Sequence, residues 1–418
     1  MTNTHDTRPP LLASAGMPTV PADLAAPTTS VSTPHRALLH VGTHGLLADR
    51  SLSFQLDRWI AYGGDSMLAD VRSVLDQLMT LDGWRSAFLG LHDRALAAHR
   101  RLDAALHLRS AEFFMLPGDP RRPAAHRTFV SLMREVFDVG APLTVEYAGA
   151  QLPVYRFVSS QPLDTVVIFG GFDSYIEEFF PIFLALRDAG VDVVAFEGPG
   201  QGSVLLESGM PMTPDWHLPV GAVLDKLGLD DVTLIGVSLG GGLAIRAAAG
   251  EPRVRRVVAF DVLADFEACV LAQLPTARRR FLRALIGLRA GFVLDAIARR
   301  DRRPIAEWGL AQGMHVFGVE TPYAMLREAA RYHTRDVSAR VTQDVLLLAG
   351  AEDHYVPPRQ ILDQVAGLTG ARSITARIFT RSESAQSHCQ VGNLPLAVDT
   401  IARWIESRVP AERRTPST

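Results

Sequence analysis

The sequence predicts an α/β protein built on a mostly parallel sheet, and three observations carry that prediction. From Thr165 onward, short apolar runs recur: T-V-V-I-F-G-G (165–171), V-D-V-V-A-F-E-G (191–198), V-T-L-I-G-V (232–237), V-R-R-V-V-A-F-D (254–261) and D-V-L-L-L-A-G (344–350). Stretches of helical period separate them, as expected when strands are buried on both faces by crossover helices. Most of the runs end at glycine or a polar residue, which places loops, and any ligand site, at one edge of the sheet.

At 418 residues the chain is long enough for a core with helical additions. A hydrophobic share of 47% and a charged share of 21% are those of an ordinary folded protein. Residues 1–35, rich in Pro, Thr, Ser and Ala, lack the basic start and apolar run of a secretory signal and are expected to be a disordered tail, as are 411–418. Residues 36–140 read as a helical domain. Leu68, Val71, Val74, Leu75 and Leu78 recur at helical spacing, as do Phe88, Leu91, Ala95, Ala98, Leu102 and Leu106; Pro117, Gly118 and Pro120 interrupt before a last helix over 125–137. At Leu143 the period changes to two, and Ala148-Gly149-Ala150 marks the turn of a hairpin. The core therefore spans 141–261 and 342–410. Between its parts, 262–341 is helical in pattern, carries Trp308, Met314, Phe317 and Tyr323, and is placed to act as a cap.

The net charge of −3 offers no electrostatic argument for nucleic acid or an anionic membrane, so a small molecule is the expected partner. Lys226 is the only lysine among 42 basic residues, a bias that points to no binding surface. Cys269 and Cys389 are the only cysteines, too few and too far apart for a disulfide framework or zinc site, and the cytoplasm is the expected compartment. The longest apolar stretch, 232–250, contains Arg246 and a glycine cluster, which suits a buried strand and helix better than a membrane span. No metal or organic cofactor is expected.

The chemistry-bearing signal is G-V-S-L-G. Ser238 lies between Gly236 and Gly240, directly after an apolar strand and before the helical G-G-L-A-I-R-A-A-A. A serine on so sharp a strand-to-helix turn has a strained backbone and needs small neighbours. Serine is a poor nucleophile until a base takes its proton and a carboxylate orients that base. The loop A-E-D-H-Y-V-P-P after the 344–350 strand offers Asp353 as the acid; Glu352 is adjacent, and Asp344 lies at the wrong end of the strand. Of thirteen histidines, His388 in S-A-Q-S-H-C-Q-V-G-N lies late enough and in a loop, so it is the candidate base. His354 reads as a loop histidine and Cys389 as a packing residue. An oxyanion would meet the N–H of Leu239 and one from F-G-G-F-D-S, where Phe172 is the expected donor. Asp173, Glu177 and Glu178 follow as a polar wall, as an acid aiding an unusual step, or as helix N-terminal carboxylates favourably placed against the dipole. F-E-G-P-G-Q-G (196–202) lacks the Lys-Ser/Thr ending of a phosphate loop and reads as a structural turn.

Together these motifs resemble the α/β-hydrolases that include 2,6-dihydroxypseudooxynicotine hydrolase, the FrsA-like proteins and the fungal chain-shortening hydrolases. The likeness covers most of the chain and also rests on S-A-E-F-F-M-L-P-G-D-P-R-R, G-G-F-D-S-Y-I-E-E-F, E-W-G-L-A-Q-G-M-H-V-F-G and A-G-A-E-D-H-Y-V-P. The resemblance implies an α/β-hydrolase fold whose amino-terminal helical domain and inserted helical cap close over Ser238. It also implies cleavage of an ester, an amide or the C–C bond of a β-diketone in a secondary metabolite, through an acyl-serine. Phe169 departs from the histidine that many relatives carry before the two glycines. An additional pocket acid would fall on Asp261 or Asp265, and Asp173 and Asp261 are the candidate substrate contacts. The same triad would serve an acyltransferase or cyclase, and a binding protein on this fold is the non-catalytic alternative. The helical domain could pair two copies as a homodimer.

Overall fold

Where the period is helical the chain forms helices, and where it shortens to two it forms strands. The structure, a computed structural model, describes residues 35–301 and 303–409. The expected tails fall outside these residues except for His35, which is buried in a short turn with Nδ1 2.7 Å from Asp188. Four helices come first: α1 (Arg50–Arg72), α2 (Leu81–Ala97), α3 (Arg101–Phe113) and α4 (Arg122–Val136). Asp49 and Thr80 cap the first two by accepting from Leu52 N and Gly83 N, which satisfies otherwise orphaned donors. The apolar period that runs unbroken from Phe88 to Leu106 is cut by a turn in which His99 takes φ 57°. Apolar residues on both sides of that turn enter one core, so the pattern alone does not reveal it.

The hairpin follows as β1 (Leu143–Tyr147) and β2 (Ala150–Phe157), joined through Ala148 and Gly149, both at positive φ as a tight two-residue loop requires. Then come β3 (Asp164–Phe169), α5 (Phe180–Asp188), β4 (Val191–Phe196), α6 (Gly202–Ser208), α7 (His217–Leu227), β5 (Val232–Val237), α8 (Leu239–Ala248) and β6 (Val254–Phe260). Five helices fill the segment after β6: α9 (Phe266–Ala272), α10 (Thr276–Gly287), α11 (Gly291–Ala298), α12 (Pro304–Phe317) and α13 (Pro322–Ala329). The chain ends with β7 (Asp344–Gly350), α14 (Arg359–Gly367), β8 (Ser373–Phe379) and α15 (Leu394–Arg408).

The eight strands lie in the order β1-β2-β4-β3-β5-β6-β7-β8, with β2 antiparallel to both its neighbours and every pair from β4 to β8 parallel. β4, β5 and β7 are buried at every residue, in accord with their mainly apolar runs, and Asp192 within β4 is paired with Arg156. Sequence reading missed β8. It is an edge strand with alternating exposure, S-I-T-A-R-I-F, and its outward Ile374 and Ile378 disguise the pattern. The register sets Phe169 beside Gly236 and Val237 beside Phe260, so the loops after β3, β5 and β6 emerge together at one edge.

A buried ionic network joins the early helices to that edge. Glu178, fully buried just after the loop that follows β3, accepts from Arg58 Nη2 at 2.5 Å, Arg109 Nε at 2.7 Å and Tyr175 N at 2.9 Å. Arg109 also donates to Glu112 at 2.5 Å and to the Asp173 carbonyl at 2.6 Å, and its guanidinium stacks 4.0 Å from the Tyr175 ring. Glu112 in turn holds Arg122 at 2.7 Å, and Arg122 reaches Gln312 on α12 at 3.3 Å. Trp308 completes the junction by stacking on Phe113 at 4.6 Å and donating to its carbonyl at 2.6 Å. Truncating one member of such a buried network strands its partners' charges, which costs about 3–5 kcal/mol. Glu178→Ala is therefore expected to lower the unfolding free energy obtained from urea titration by that amount, and Glu178→Gln by less; a loss within about 1 kcal/mol for the alanine variant would show the network to be solvated.

Candidate active site

The site forms where the β3, β5, β6 and β7 loops converge. Ser238 follows β5 at φ 61°, ψ −122°, a backbone conformation that costs an L-residue free energy and is held by the strand before it and the helix after it. Its N–H donates to the Phe260 carbonyl at 2.7 Å, and its own carbonyl accepts from Gly241 N at 2.8 Å. Two glycines permit this packing. A Cβ on Gly171 would stand 2.7 Å from the Val237 carbonyl oxygen and 3.0 Å from Leu239 N, and one on Gly241 would overlap the Asp261 carbonyl.

Ser238 Oγ lies 2.8 Å from His388 Nε2, and His388 Nδ1 lies 2.6 Å from Asp353 Oδ2. With Nδ1 protonated toward the carboxylate, Nε2 is free to accept the serine proton. The other Asp353 oxygen accepts from Tyr355 N at 2.7 Å and Val356 N at 2.9 Å, which fixes the carboxylate. Burial depresses the His388 pKa, but the facing Asp353 charge overrides it and leaves the imidazole well above its ordinary value. Burial likewise opposes Asp353 ionisation, and the His388 charge and hydrogen bond turn the balance, so its pKa lies below the usual carboxylate range. The competing acids are elsewhere: Glu352 pairs with Arg381 at the surface and Asp344 with Arg372 at the start of β7.

Asp261 is placed differently from a substrate contact. It is 1% exposed and lies behind the imidazole, with Oδ2 3.9 Å from His388 Nδ1. Val262 N, Cys389 N and Gln390 Nε2 donate to it at 2.9, 3.3 and 3.4 Å. Desolvation, reinforced by the nearby Asp353 charge, pushes its pKa up to about 8. The ligand atoms of Asp261, Asp353 and His388 lie within 4.8 Å of one another, but the closest pair is spent on a hydrogen bond too short to admit an ion between its members. Asp265 caps α9, accepting from Ala268 N at 3.0 Å.

Leu239 opens α8, so its N–H is among the orphan donors of that helix N-terminus, beside the loop carrying Gly171 and Phe172. Phe169 turns away to pack on Phe196 and Trp216. The loop's hydrogen bonding comes instead from Gln201, whose Nε2 donates to the Gly170 and Gly171 carbonyls at 2.7 and 3.2 Å while its Oε1 accepts from Gly198 N at 3.0 Å. F-E-G-P-G-Q-G is thus a turn, as expected, with an added task that a phosphate-loop comparison does not reveal. Glu178 is not a polar wall but the centre of the buried network, and Glu177, bonded to Tyr155 at 2.8 Å, has its pKa pushed up to about 8 by burial and by Glu197.

A cavity of about 520 Å³ opens above Ser238 and His388. Phe172, Phe266, Phe317, Leu282 and Met325 give it an apolar wall, and Arg58 and Asp173, 3.2 Å apart, give it a polar one. Sequence reading missed Arg58, because a lone arginine within a helix carries no signal of where it points. His354 also lines the cavity, its ring 3.9 Å from that of Tyr355, with its pKa lowered to about 4 by burial. Cys389 lies at the same wall, its thiol 3.7 Å from the Phe260 carbonyl.

Because Asp261 holds a proton in the folded chain well above the ordinary carboxylate range, its contribution to stability is full below about pH 4 and is lost as pH rises through about 8. Asp261→Asn removes that titration. The stability of the parent relative to the variant is expected to fall over this interval in denaturant titrations at several pH values, whereas a constant difference would show that Asp261 does not titrate there.

Comparison with known proteins agrees with the fold. Residues 164–380 match the alpha/beta hydrolase fold family, over half of the chain. Hydrolase acrC of Aspergillus aculeatus is 31% identical over 65% of this chain and 73% of its own length. The 20-hydroxy-prefusarin hydrolase FUS2 of Gibberella moniliformis is 26% identical over 77% of this chain and 83% of its own. In fold, the crystal structure of 2,6-dihydroxy-pseudo-oxynicotine hydrolase superposes with a TM-score of 0.59 at 22% identity, covering 87% of this chain and 98% of that one. With the sheet order, the turn at Ser238 and the family match in agreement, the chain belongs to the α/β-hydrolase family of enzymes.

Proposed function

We propose that this hydrolase works through an acyl-serine intermediate, with Ser238 as nucleophile, His388 as general base and then acid, and Asp353 as the group that orients the imidazole. The observation that carries the reading is the continuous chain Ser238 Oγ, His388 Nε2, His388 Nδ1, Asp353 Oδ2, with separations of 2.8 and 2.6 Å at the floor of an apolar cavity. The serine oxygen bonds to the substrate carbonyl carbon as its proton passes to Nε2. The tetrahedral oxyanion is met by the N–H groups of Leu239 and Phe172, assisted by the positive end of α8. Collapse breaks the bond to the leaving group, which takes the proton from His388, and water then repeats the sequence on the acyl-serine.

The leaving group can be an alcohol, an amine or, for a β-diketone, an enolate carbon. The cavity's apolar wall favours a small, fairly hydrophobic substrate of the secondary-metabolite kind, and the relative named for 20-hydroxy-prefusarin supports that class. Asp173, held by Arg58 at the polar wall, is the proposed contact for a polar group of the substrate. Asp261 is assigned no substrate contact; its place behind His388 makes it a second carboxylate bearing on the imidazole.

Treatment with a fluorophosphonate is expected to add one adduct to the intact mass of the parent and none to Ser238→Ala. Turnover of aryl esters or β-diketones should fall by about ten-thousandfold or more in the same variant. Absence of an adduct on the folded parent would remove the activated-serine reading.

A further inference from the structure

The net charge of the chain conceals a strong local asymmetry. Between Thr276 and Arg300 the sequence carries seven arginines and one aspartate, six net positive charges in a chain whose total is −3. These residues form α10, α11, the turn between them and the two residues that follow α11. Arg278 is held by Asp301 at 3.0 Å and Arg279 donates to the Leu271 and Ala272 carbonyls. Arg280, Arg283, Arg289, Arg299 and Arg300 are exposed, Arg283 within electrostatic reach of Glu267.

The same helices carry large apolar side chains on their outer surfaces. Phe281 is 50% exposed, Leu288 77% and Phe292 81%, among the most exposed large hydrophobic residues described. On α10, Phe281, Ala284 and Leu288 fall on one stripe at helical spacing, bordered by Arg280 and Arg283, while Leu282 and Leu285 bury the opposite side. On α11, Phe292 and Ala296 share the outer face as Leu294 and Ile297 turn to the cavity.

We infer that α10 and α11 form a docking surface for an anionic lipid bilayer, on which the enzyme rests without spanning it. Aromatic and leucine side chains projecting between arginines are the composition of an interfacial helix pair: the apolar tips enter the acyl boundary and the guanidinium groups meet the headgroups. A second copy of the chain would set like charges against one another. A nucleic acid or an acidic protein would satisfy the arginines but leave no account of why Phe281, Leu288 and Phe292 project into water. The inner faces of these helices line the substrate cavity through Arg278, Leu282, Leu294 and Ile297. The surface that touches lipid is therefore continuous with the wall of the apolar cavity, and an apolar substrate dissolved in the bilayer would have a short way in. No described helix is long and apolar enough to cross a membrane, so the contact is peripheral. It is independent of the chemistry at Ser238.

The test is co-sedimentation of the full chain with vesicles of phosphatidylcholine alone and with about a third phosphatidylglycerol. The parent is expected to pellet with the anionic vesicles, to stay in solution with the neutral ones and to be released by salt. Arg280→Glu with Arg283→Glu, and separately Phe281→Ser with Phe292→Ser, should each weaken partition about tenfold or more while leaving the thermal melt in place. Failure of the parent to pellet with anionic vesicles, or equal pelleting of parent and variants, would overturn the proposal. Retention on polyglutamate that the serine variants leave intact would replace lipid with an acidic protein. A solution mass that falls to the monomer in the serine variants would replace it with a second copy.

Discussion

The geometry of the site depends on a carboxylate that touches neither the serine nor the histidine. Glu178 is buried between two guanidinium groups from different helices, and each gives it a charged hydrogen bond of 2.5 to 2.7 Å. Against the desolvation of three ions such a cluster contributes little net stability, because water would solvate the same groups well. Its consequence is positional. Apolar packing alone would let α1 and α3 slide against the sheet at small cost, whereas a bidentate carboxylate admits one arrangement of Arg58 and Arg109. That arrangement places Arg109 on the Asp173 carbonyl and Arg58 on its side chain, and so holds the residues next to Phe172.

The opposite side of the same loop is held by Gln201, which bonds the carbonyls of Gly170 and Gly171. With both carbonyls engaged there, the following peptide has few ways to turn, and an oxyanion donor must be fixed before charge develops if it is to be worth more than water. The helices before the core therefore do more than cover the cavity. They reach its chemistry through Arg58 and Asp173, and through α12, where Trp308 and Gln312 meet α3 and α4.

The proposed base, His388, faces two carboxylates in balance. Asp353 lies 2.6 Å from Nδ1 and is held ionised by backbone N–H groups and by the imidazole, while Asp261, at 3.9 Å, is driven toward its neutral form by burial and by Asp353 itself. Two ionised carboxylates at this distance from one imidazole would over-stabilise its cation and make it slow to return the proton. A protonated Asp261 keeps its hydrogen-bond partners in place without adding that second charge.

How much of this the sequence discloses depends on whether the physics is local. Buried parallel strands announce themselves because most of their residues must be apolar, and a strained strand-to-helix turn demands small neighbours at fixed offsets, so the buried strands and the setting of Ser238 are legible. Asp353 and His388 are legible in order and context, since a loop at the carboxyl edge of the sheet is where such groups can meet. β8 escapes because an edge strand need not be apolar on both faces, and the turn at His99 escapes because helices on either side of it bury the same kind of residue. Arg58 and Gln201 escape for a different reason: their partners lie 120 and about 30 residues away, and nothing next to them in the chain records the contact. Charge behaves the same way. A total of −3 is a sum over the whole surface, but an electrostatic partner beyond about 10 Å is screened and meets only the patch in front of it. Binding surfaces are therefore read from charge counted along an element and from the faces that the fold leaves outside, and on α10 and α11 both counts point outward together.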